Sequence, residues 1–534
     1  MKKYLFLFTV LICVSINGNA QNFQKTYDIT GGADGRGIAT QQTSDGGFII
    51  GGETGPGVSD FYIIKTNSSG VVTWNKTFGG GDDDDIFDIH QTTDAGYFMS
   101  GSTKSFGAGL NDIYAIKIDG SGNIVWSSTY GGASNEAGTS SIQTSDGGYI
   151  ITGWTTSFGS GGLDLYVVKL SSTGALQWSR TVGGASDEMG MSVYQTSDGG
   201  YVIAGSTTSF GTSSSKDVYV VKLNSSGSLQ WTKTYGGSGS DGGGSIKQTT
   251  DGGFIIGATT NGLELALIKT DGNGVLQWNK IYTETGCGGN SIACVVQTSD
   301  GGYAFSGNIV NCVAGAQNIS LIKTDASGTI QWSKAYGGAS GEFTHASMQQ
   351  TGDGGFIITG DTKTLAASGS WDVYLIKTDA SGNSGCHQSN VVFNESSPTL
   401  IVNSGGGQNN GGTKTTSSTI VTTPLTTLTP ICIFFPGEGQ GVKEIQSITN
   451  IKLYPNPSVN QNVTININAN SPFDSNIELN DMYGRKVYEK NEKINSGNNS
   501  IALNTSELPS GLIVARITNT LNSEQLSIKF INQK

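Results

Sequence analysis

Six acidic residues stand at matching places along this chain: Asp34, Asp84, Glu136, Glu188, Asp241 and Glu342, with Asn290 breaking the set. Acids gathered on neighbouring loops could attract a cation or a basic partner, although acidic loop residues are commonly no more than solvated. The run Asp82 to Asp85 lacks the alternating ligand spacing and the closing Glu of a calcium loop, so no metal site is expected. Phe106, Phe158 and Phe210 sit in three successive Ser-Phe-Gly loops. There they could grip a sugar or peptide, or pack on their own sheets. His90, His345 and His387 are the chain's 3 histidines. There is no Gly-x-Ser-x-Gly, His-Glu-x-x-His or phosphate loop, and no cofactor is expected. Two acids would suffice for a glycosidase, yet no pair stands out from the pattern. The residues lean away from catalysis.

The elements that must position these residues are set by a repeat. Gln-Thr-x-Asp-Gly-Gly-aromatic, with small departures, is anchored at Gln42, Gln91, Gln143, Gln195, Gln248, Gln297 and Gln350, with gaps of 49, 52, 52, 53, 49 and 53 residues. A period of this size, built from short alternating strands, predicts propeller blades. In the unit around Gln143, strand A is Ser140–Thr144 and the turn Ser145–Gly148 leads to strand B, Tyr149–Gly153. Strand C is Asp164–Lys169, and Ser172–Gly174 turns the chain into strand D, Leu176–Arg180. The β-branched and aromatic residues of strand C suit a pleated sheet, and the glycines suit the turns.

Strand D carries Trp74, Trp126, Trp178, Trp231, Trp278 and Trp332, one fewer than the copies of strands A to C. The missing strand lies at the other end, where Phe23-Gln24-Lys25-Thr26-Tyr27 matches Trp74-Asn75-Lys76-Thr77-Phe78. The expected fold is therefore all-β: a closed seven-bladed propeller of four-stranded blades, its last blade completed by the N-terminal strand. Closure of this kind removes open sheet edges. The tryptophans are expected to wedge between blades. The strand C lysines, Lys65 to Lys377, read as a packing or turn device rather than seven active sites. One face carries the uniform A–B and C–D turns. The other carries the variable D–A and B–C loops, and a binding site is expected there.

Met1-Lys2-Lys3, an apolar run to Ile16 and Gly18-Asn19-Ala20 read as a signal peptide over 1–20. No other stretch is long and apolar enough for a transmembrane span. The chain carries a formal charge of −12, which argues against nucleic acid as partner. Glycine is abundant, at 80 residues against 9 prolines, as many tight turns require. Export would permit disulfides. Cys287, Cys294 and Cys312 share one repeat, where two can pair, and Cys386 and Cys432 could pair with each other.

The unit Asp271-Gly272-Asn273-Gly274-Val275-Leu276-Gln277-Trp278 resembles the tryptophan-docking repeat of quinoprotein dehydrogenases, and the Ser-x-Asp-x-Gly flavour resembles sialidase Asp-boxes. The quinoprotein vicinal disulfide and the sialidase arginine triad have no counterpart here. The whole repeat, residues 23–385, is more similar to propeller repeats of exported bacterial surface proteins. Near the end come Tyr454-Pro455-Asn456-Pro457, Gly484 within Asp481–Arg485, and Gly511 after Leu508-Pro509-Ser510. This pattern is similar to the C-terminal sorting domain of type IX secretion cargo (type A, the Por secretion system) in Bacteroidota. It implies a small β-sandwich over 446–534, engagement of the secretion machinery, and release outside the cell or display on its outer-membrane surface. The propeller is then expected over 21–385, with a flexible or loosely β-structured Ser/Thr/Gly-rich linker over 386–445. The functional expectation is a secreted or surface binding or adhesion scaffold for a glycan or protein. The alternatives are a polysaccharide-degrading glycosidase or lyase and a structural part of an adhesion assembly.

Overall fold

The structure, a computed structural model, describes residues 22–533 apart from 30–33, 56, 212–214, 263, 285–289, 311–316, 339, 346, 367–369, 406, 410–412, 417–419, 423–425, 434–447, 455–457, 460–462, 482–484, 505–507, 509–510 and 521–524. The expected signal peptide, Cys287, Cys312, Pro455, Asn456, Pro457 and Gly484 lie outside the described residues. The chain divides into a unit ending at Phe434 and a unit beginning at Phe435.

The first unit consists of antiparallel sheets in a blade-like arrangement. Sheet 3 is the type example: strand A Glu136–Gln143, strand B Tyr149–Thr155, strand C Asp164–Leu170 and strand D Leu176–Gly183, paired in that order. Five further sheets repeat the pattern, with first strands Gly35–Gln42 in sheet 1, Asp84–Gln91 in sheet 2, Glu188–Gln195 in sheet 4, Gly242–Gln248 in sheet 5 and Ser291–Gln297 in sheet 6. In sheet 7 strand A is split into Glu342–Phe343 and Met348–Gln350. Its fourth strand is Phe23–Ile29, which pairs with Asp372–Thr378 in the register Phe23 to Lys377 and Tyr27 to Val373.

The turn motif explains its own residues. In sheet 3 Thr144 Oγ1 and the Gly148 N–H both donate to Asp146 Oδ1, at 2.5 and 3.0 Å. The buried Lys169 reaches the same carboxylate at 2.9 Å. Gly147 has φ of 79°, which suits glycine. At Gly148 a Cβ would stand 2.2 Å from the Leu170 carbonyl oxygen, so no larger residue fits. The lysine–aspartate pair recurs in all seven sheets, from Lys65–Asp45 to Lys377–Asp353, at 2.8 to 3.0 Å. The repeated lysines are thus a turn lock, as the sequence suggested.

The glutamine of each motif joins neighbouring sheets by accepting a turn N–H from the sheet before it. Examples are Thr93 N to Gln143 Oε1 at 2.8 Å and Ser145 N to Gln195 Oε1 at 2.8 Å. Each strand D tryptophan leans on the first aromatic of the next sheet's strand B. Trp74–Tyr97, Trp126–Tyr149, Trp178–Tyr201, Trp231–Phe254, Trp278–Tyr303 and Trp332–Phe356 have ring centroids 5.8 to 6.1 Å apart. Phe23 fills the same role against Phe48 at 5.9 Å. The buried core is correspondingly divided. One apolar cluster lies at each junction, and one of them joins Phe23, Tyr27 and Val373 of sheet 7 to Phe48, Ile50 and Tyr62 of sheet 1.

The segment expected to be a flexible or loosely β-structured linker forms short strands. From Gln388 to Ile433 it supplies an outer fifth strand to every sheet in turn, visiting sheets 6, 5, 4, 3, 2, 1 and finally 7. Thr426–Ile433 lies against Phe23–Ile29 on the side opposite Asp372–Thr378. Most of the segment therefore belongs to the first unit. The physical reason is edge pairing. Strand D of each sheet would otherwise present an unpaired edge, and the Ser/Thr-rich segment satisfies it with main-chain hydrogen bonds that need little from its side chains. Composition left open which edges it would pair with.

The second unit holds a three-stranded sheet, Ile448–Tyr454, Val463–Ala469 and Gly497–Leu503, and a five-stranded sheet that includes Phe473–Asp481, Gly511–Asn519 and Gln525–Gln533. Ile465 and Ile467 from one sheet share a core with Ile477, Leu479, Ile513 and Ile517 from the other. The two sheets form a sandwich. Tyr454 ends one strand and Gly511 opens another. Among the described residues no helix is long and apolar enough to cross a membrane.

Candidate functional site

The first strand of each sheet breaks step with its neighbour near its start. Register shifts fall between Gly37 and Ala39, Ile86 and Asp88, Gly138 and Ser140, Gly190 and Ser192, Gly243 and Ser245, and Ile292 and Cys294. A bulge leaves its extra residue out of the ladder and re-aims the side chain. The residues so released are Ile38, Phe87, Thr139, Met191, Gly244 and Ala293. In sheet 7, His345 falls in the gap between the two pieces of strand A. All seven line one cavity of about 530 Å³. It lies at the end where the D–A and B–C loops are. Toward the other end the same first strands line a second cavity of about 500 Å³.

The polarity of the first cavity is one-sided. Sheets 7, 1 and 2 contribute His345, Arg36, Glu53 and Asp85, while sheets 3 and 4 contribute Trp154, Met189 and Met191. His345 Nε2 lies 2.6 Å from Oδ1 of the buried Asp361. Asp85 accepts a hydrogen bond from Ser59 Oγ at 2.7 Å. Glu53 is the cross-strand partner of Arg36. Burial and the nearby Asp85 carboxylate push the Glu53 carboxyl up to about 7, against the opposing pull of Arg36 and His345. Glu53 is therefore half-protonated near neutrality. It can donate or accept a proton where an ordinary glutamate could only accept.

The candidates drawn from the repeat sit elsewhere. Asp84, Glu136, Glu188, Asp241 and Glu342 are buried. Each accepts the backbone N–H four residues before it, from Gly80, Gly132, Gly184, Gly237 and Gly338, at 2.6 to 2.9 Å. Asp34 accepts from the Trp371 N–H at 2.9 Å. The five buried acids hold D–A loops in shape. Phe106, Phe158 and Phe210 pack on Tyr114, Tyr166 and Tyr219 of their own sheets, with centroids 5.5 to 5.9 Å apart. Among the described residues no group of three or more His, Cys, Asp or Glu could hold a metal. The missed residues carry a legible signal. With the repeats aligned on their glutamines, the six bulged residues stand four positions before the glutamine, where their six types all differ, and His345 stands five before Gln350.

Asp88, His90 and Ser141 fall in the order of a nucleophile relay in the second cavity. His90 Nδ1 is 3.6 Å from Asp88 and its Nε2 is 3.4 Å from Ser141 Oγ. Ser141 is fully buried, however, and its hydroxyl oxygen is occupied by Ser100 Oγ at 2.9 Å. A nucleophile must be reachable, so the trio is a structural network. Of the cysteines, Cys294 is buried and free. Gln24 Nε2 donates to the Cys386 carbonyl, and Gln24 is also the register partner of Cys432. Both cysteines are thereby brought to one residue.

Residues 452–533 match the family described as the secretion system C-terminal sorting domain. This domain marks the chain for export to the cell surface or beyond it. No curated protein matches the chain. Among solved structures, PorZ, a bacterial surface component of the type-IX secretion system of Porphyromonas gingivalis, is 11% identical with a TM-score of 0.34, covering 91% of this chain and 58% of its own. Sqt1 from Chaetomium thermophilum is 11% identical with a TM-score of 0.38, covering 67% of this chain and 99% of its own. Dimeric latent PorU from Porphyromonas gingivalis is 11% identical with a TM-score of 0.15, covering 94% of this chain and 34% of its own. This chain thus spans less than two thirds of the PorZ structure.

Proposed function

We propose that the mature protein is a closed seven-bladed propeller, exported by type IX secretion, that binds a saccharide at the cavity on its D–A and B–C loop face. Closure is supported by the pairing of Phe23–Ile29 with Asp372–Thr378 and by the core shared between sheets 7 and 1. Residues 1–20 act as the signal peptide. Cys386 and Cys432, both placed at Gln24, are joined by a disulfide. Its formation releases two protons and passes two electrons to a dithiol-oxidising protein of the export route.

The observation that carries the binding assignment is the set of six bulged residues, joined in the cavity by His345. Their types all differ, and they converge on one cavity. Structural positions in this chain repeat, so unlike residues gathered in one place answer to something outside the fold. A cavity of this size takes a small ligand. Acids and His345 on one wall suit hydroxyl groups, and Trp154 on the other suits the apolar face of a sugar ring. The test is a glycan array with the full mature chain, repeated with Trp154→Ala and Glu53→Gln. A specific glycan whose affinity falls at least about tenfold in both variants is expected. Unchanged binding in both would remove the cavity from the assignment, and a protein ligand would then be sought by cross-linking.

A polysaccharide-degrading enzyme is the second reading. Glu53 beside Asp85 favours it, because a glycosidase needs one protonated and one ionised carboxyl. Turnover of a bound glycan, abolished in Glu53→Gln while binding remains, would select this reading over a pure binder.

A further inference from the structure

Each of four neighbouring sheet junctions buries two carboxyl groups against the same glycine. A Cβ placed on Gly79 would lie 1.7 Å from Asp60 Oδ1 and 2.8 Å from Asp84 Oδ2. On Gly131 it would meet Asp112 and Glu136 at 2.0 and 2.4 Å, on Gly183 Asp164 and Glu188 at 2.2 and 2.7 Å, and on Gly236 Asp217 and Asp241 at 1.9 and 2.9 Å. One acid begins or immediately precedes strand C of a sheet, and the other begins or immediately precedes strand A of the next. The donors that reach them are neutral. They include the N–H groups of Ala108, Gly109 and Gly132 and the hydroxyls of Ser105, Thr155 and Thr207. Two buried like charges at such a distance cannot both be comfortably ionised.

The chain supplies its own analogue of the neutral form. At the junction of sheets 6 and 7 the strand C position is Asn318, whose amide nitrogen, in the orientation that satisfies both partners, donates to Glu342 Oε2 at 3.0 Å. An amide N–H there stands where a carboxylic O–H would stand in the other junctions. At the junction of sheets 5 and 6 it is the strand A position that is changed, to Asn290, while the strand C position is Glu264.

We propose that Asp60–Asp84, Asp112–Glu136, Asp164–Glu188 and Asp217–Asp241 each share one proton in mildly acidic solution, making the sheet junctions a set of pH-responsive clasps. Losing that proton leaves a dianionic pair and loosens the contact between neighbouring sheets. Burial and the partner acid raise Asp60 and Asp217 to about 6. Burial raises Asp112 and Asp164 as well, with Glu136 and Glu188 adding to it. The other titratable groups facing the pairs do not neutralise them. Tyr166 beside Asp112 and Glu136, and Tyr219 beside Glu188, are phenols that burial keeps protonated. Asp83 and Lys104 flank Asp84 but pair with each other at 2.6 Å. Lys216 precedes Asp217 in the chain.

The sign follows from linkage. An acid held above its unfolded value near 3.9 favours the fold at low pH, and that contribution is lost as pH rises from about 4 through about 6. The test is the melting temperature of the mature chain at pH 5 and pH 8, with EDTA and separately with calcium chloride. Native protein should melt several degrees higher at pH 5. A variant with Asp60, Asp112, Asp164 and Asp217 all changed to Asn should melt at the same temperature at both. If that variant fails to fold, Asp217→Asn alone should weaken the infrared band of protonated carboxyl groups at pH 5. Absence of that band in native protein above pH 5, or an unaltered pH slope in the variant, would overturn the proposal. So would rescue at pH 8 by calcium, which would make the clasps cation sites.

Discussion

Gln42 Oε1 accepts a hydrogen bond from the Gly352 N–H at 3.0 Å, across 310 residues of chain. It repeats between sheets 7 and 1 the bond that Gln143 makes to Thr93 and Gln195 makes to Ser145. Gln42→Ala and Gln143→Ala should therefore each lower stability by about 1 kcal/mol, measured by urea unfolding of the mature chain. In an open array Gln42→Ala would be silent while Gln143→Ala would not.

Phe23 and Trp178 occupy equivalent places between sheets, with ring contacts to Phe48 and Tyr201 at 5.9 Å. Truncating either to Ala should cost about 3 kcal/mol, read as a lower melting temperature. Phe158→Ala, whose ring lies at the margin of the cluster between sheets 2 and 3 and against Tyr166, should cost less and leave glycan binding intact.

The turn aspartates give the protein an acid limit. Burial alone would raise Asp45, Asp94, Asp146, Asp198, Asp251 and Asp300. The lysine and threonine hydrogen bonds overcome it and hold each at about 2. A depressed carboxyl stabilises above its unfolded value and loses that contribution as pH falls from about 4 to about 2. Melting temperature should drop steeply across that window, and Lys169→Met with Asp146→Ala should flatten the drop slightly. Together with the junction acids this places the stability optimum in mildly acid solution, between about pH 4 and pH 5.

A Cys386–Cys432 bond would close a loop of some 45 residues and contribute roughly 4 kcal/mol. Cys432→Ser should leave a Cys386 thiol that alkylates under native conditions and should lower the melting temperature. Cys294, buried and free, should alkylate only after unfolding. Full alkylation of Cys386 in the native chain would disprove the bond.

The architecture was legible where physics repeats. Period, turn chemistry and the offset of Phe23–Tyr27 against Trp74–Phe78 placed the strands and the pairing of the chain's ends. The site was not legible, for a related reason. Asp84, Glu136 and Glu188 recur because loops need acceptors, whereas Ile38, Phe87, Thr139, Met191 and His345 share only a bulge, and a bulge is a property of pairing rather than of residue type. The partners of Gln388–Ile433 were hidden too, since strands added through main-chain hydrogen bonds leave little mark on side-chain patterning.

The strand Phe23–Ile29 is flanked on one edge by Asp372–Thr378 and on the other by Thr426–Ile433. It precedes every other described strand, yet its second edge is covered by the last strand of the first unit. A nascent or translocating chain must carry it unpaired until nearly all of the first unit exists, and any product truncated before Thr426 leaves that edge bare. A chain that reaches Ile433 covers both edges of its strand Phe23–Ile29.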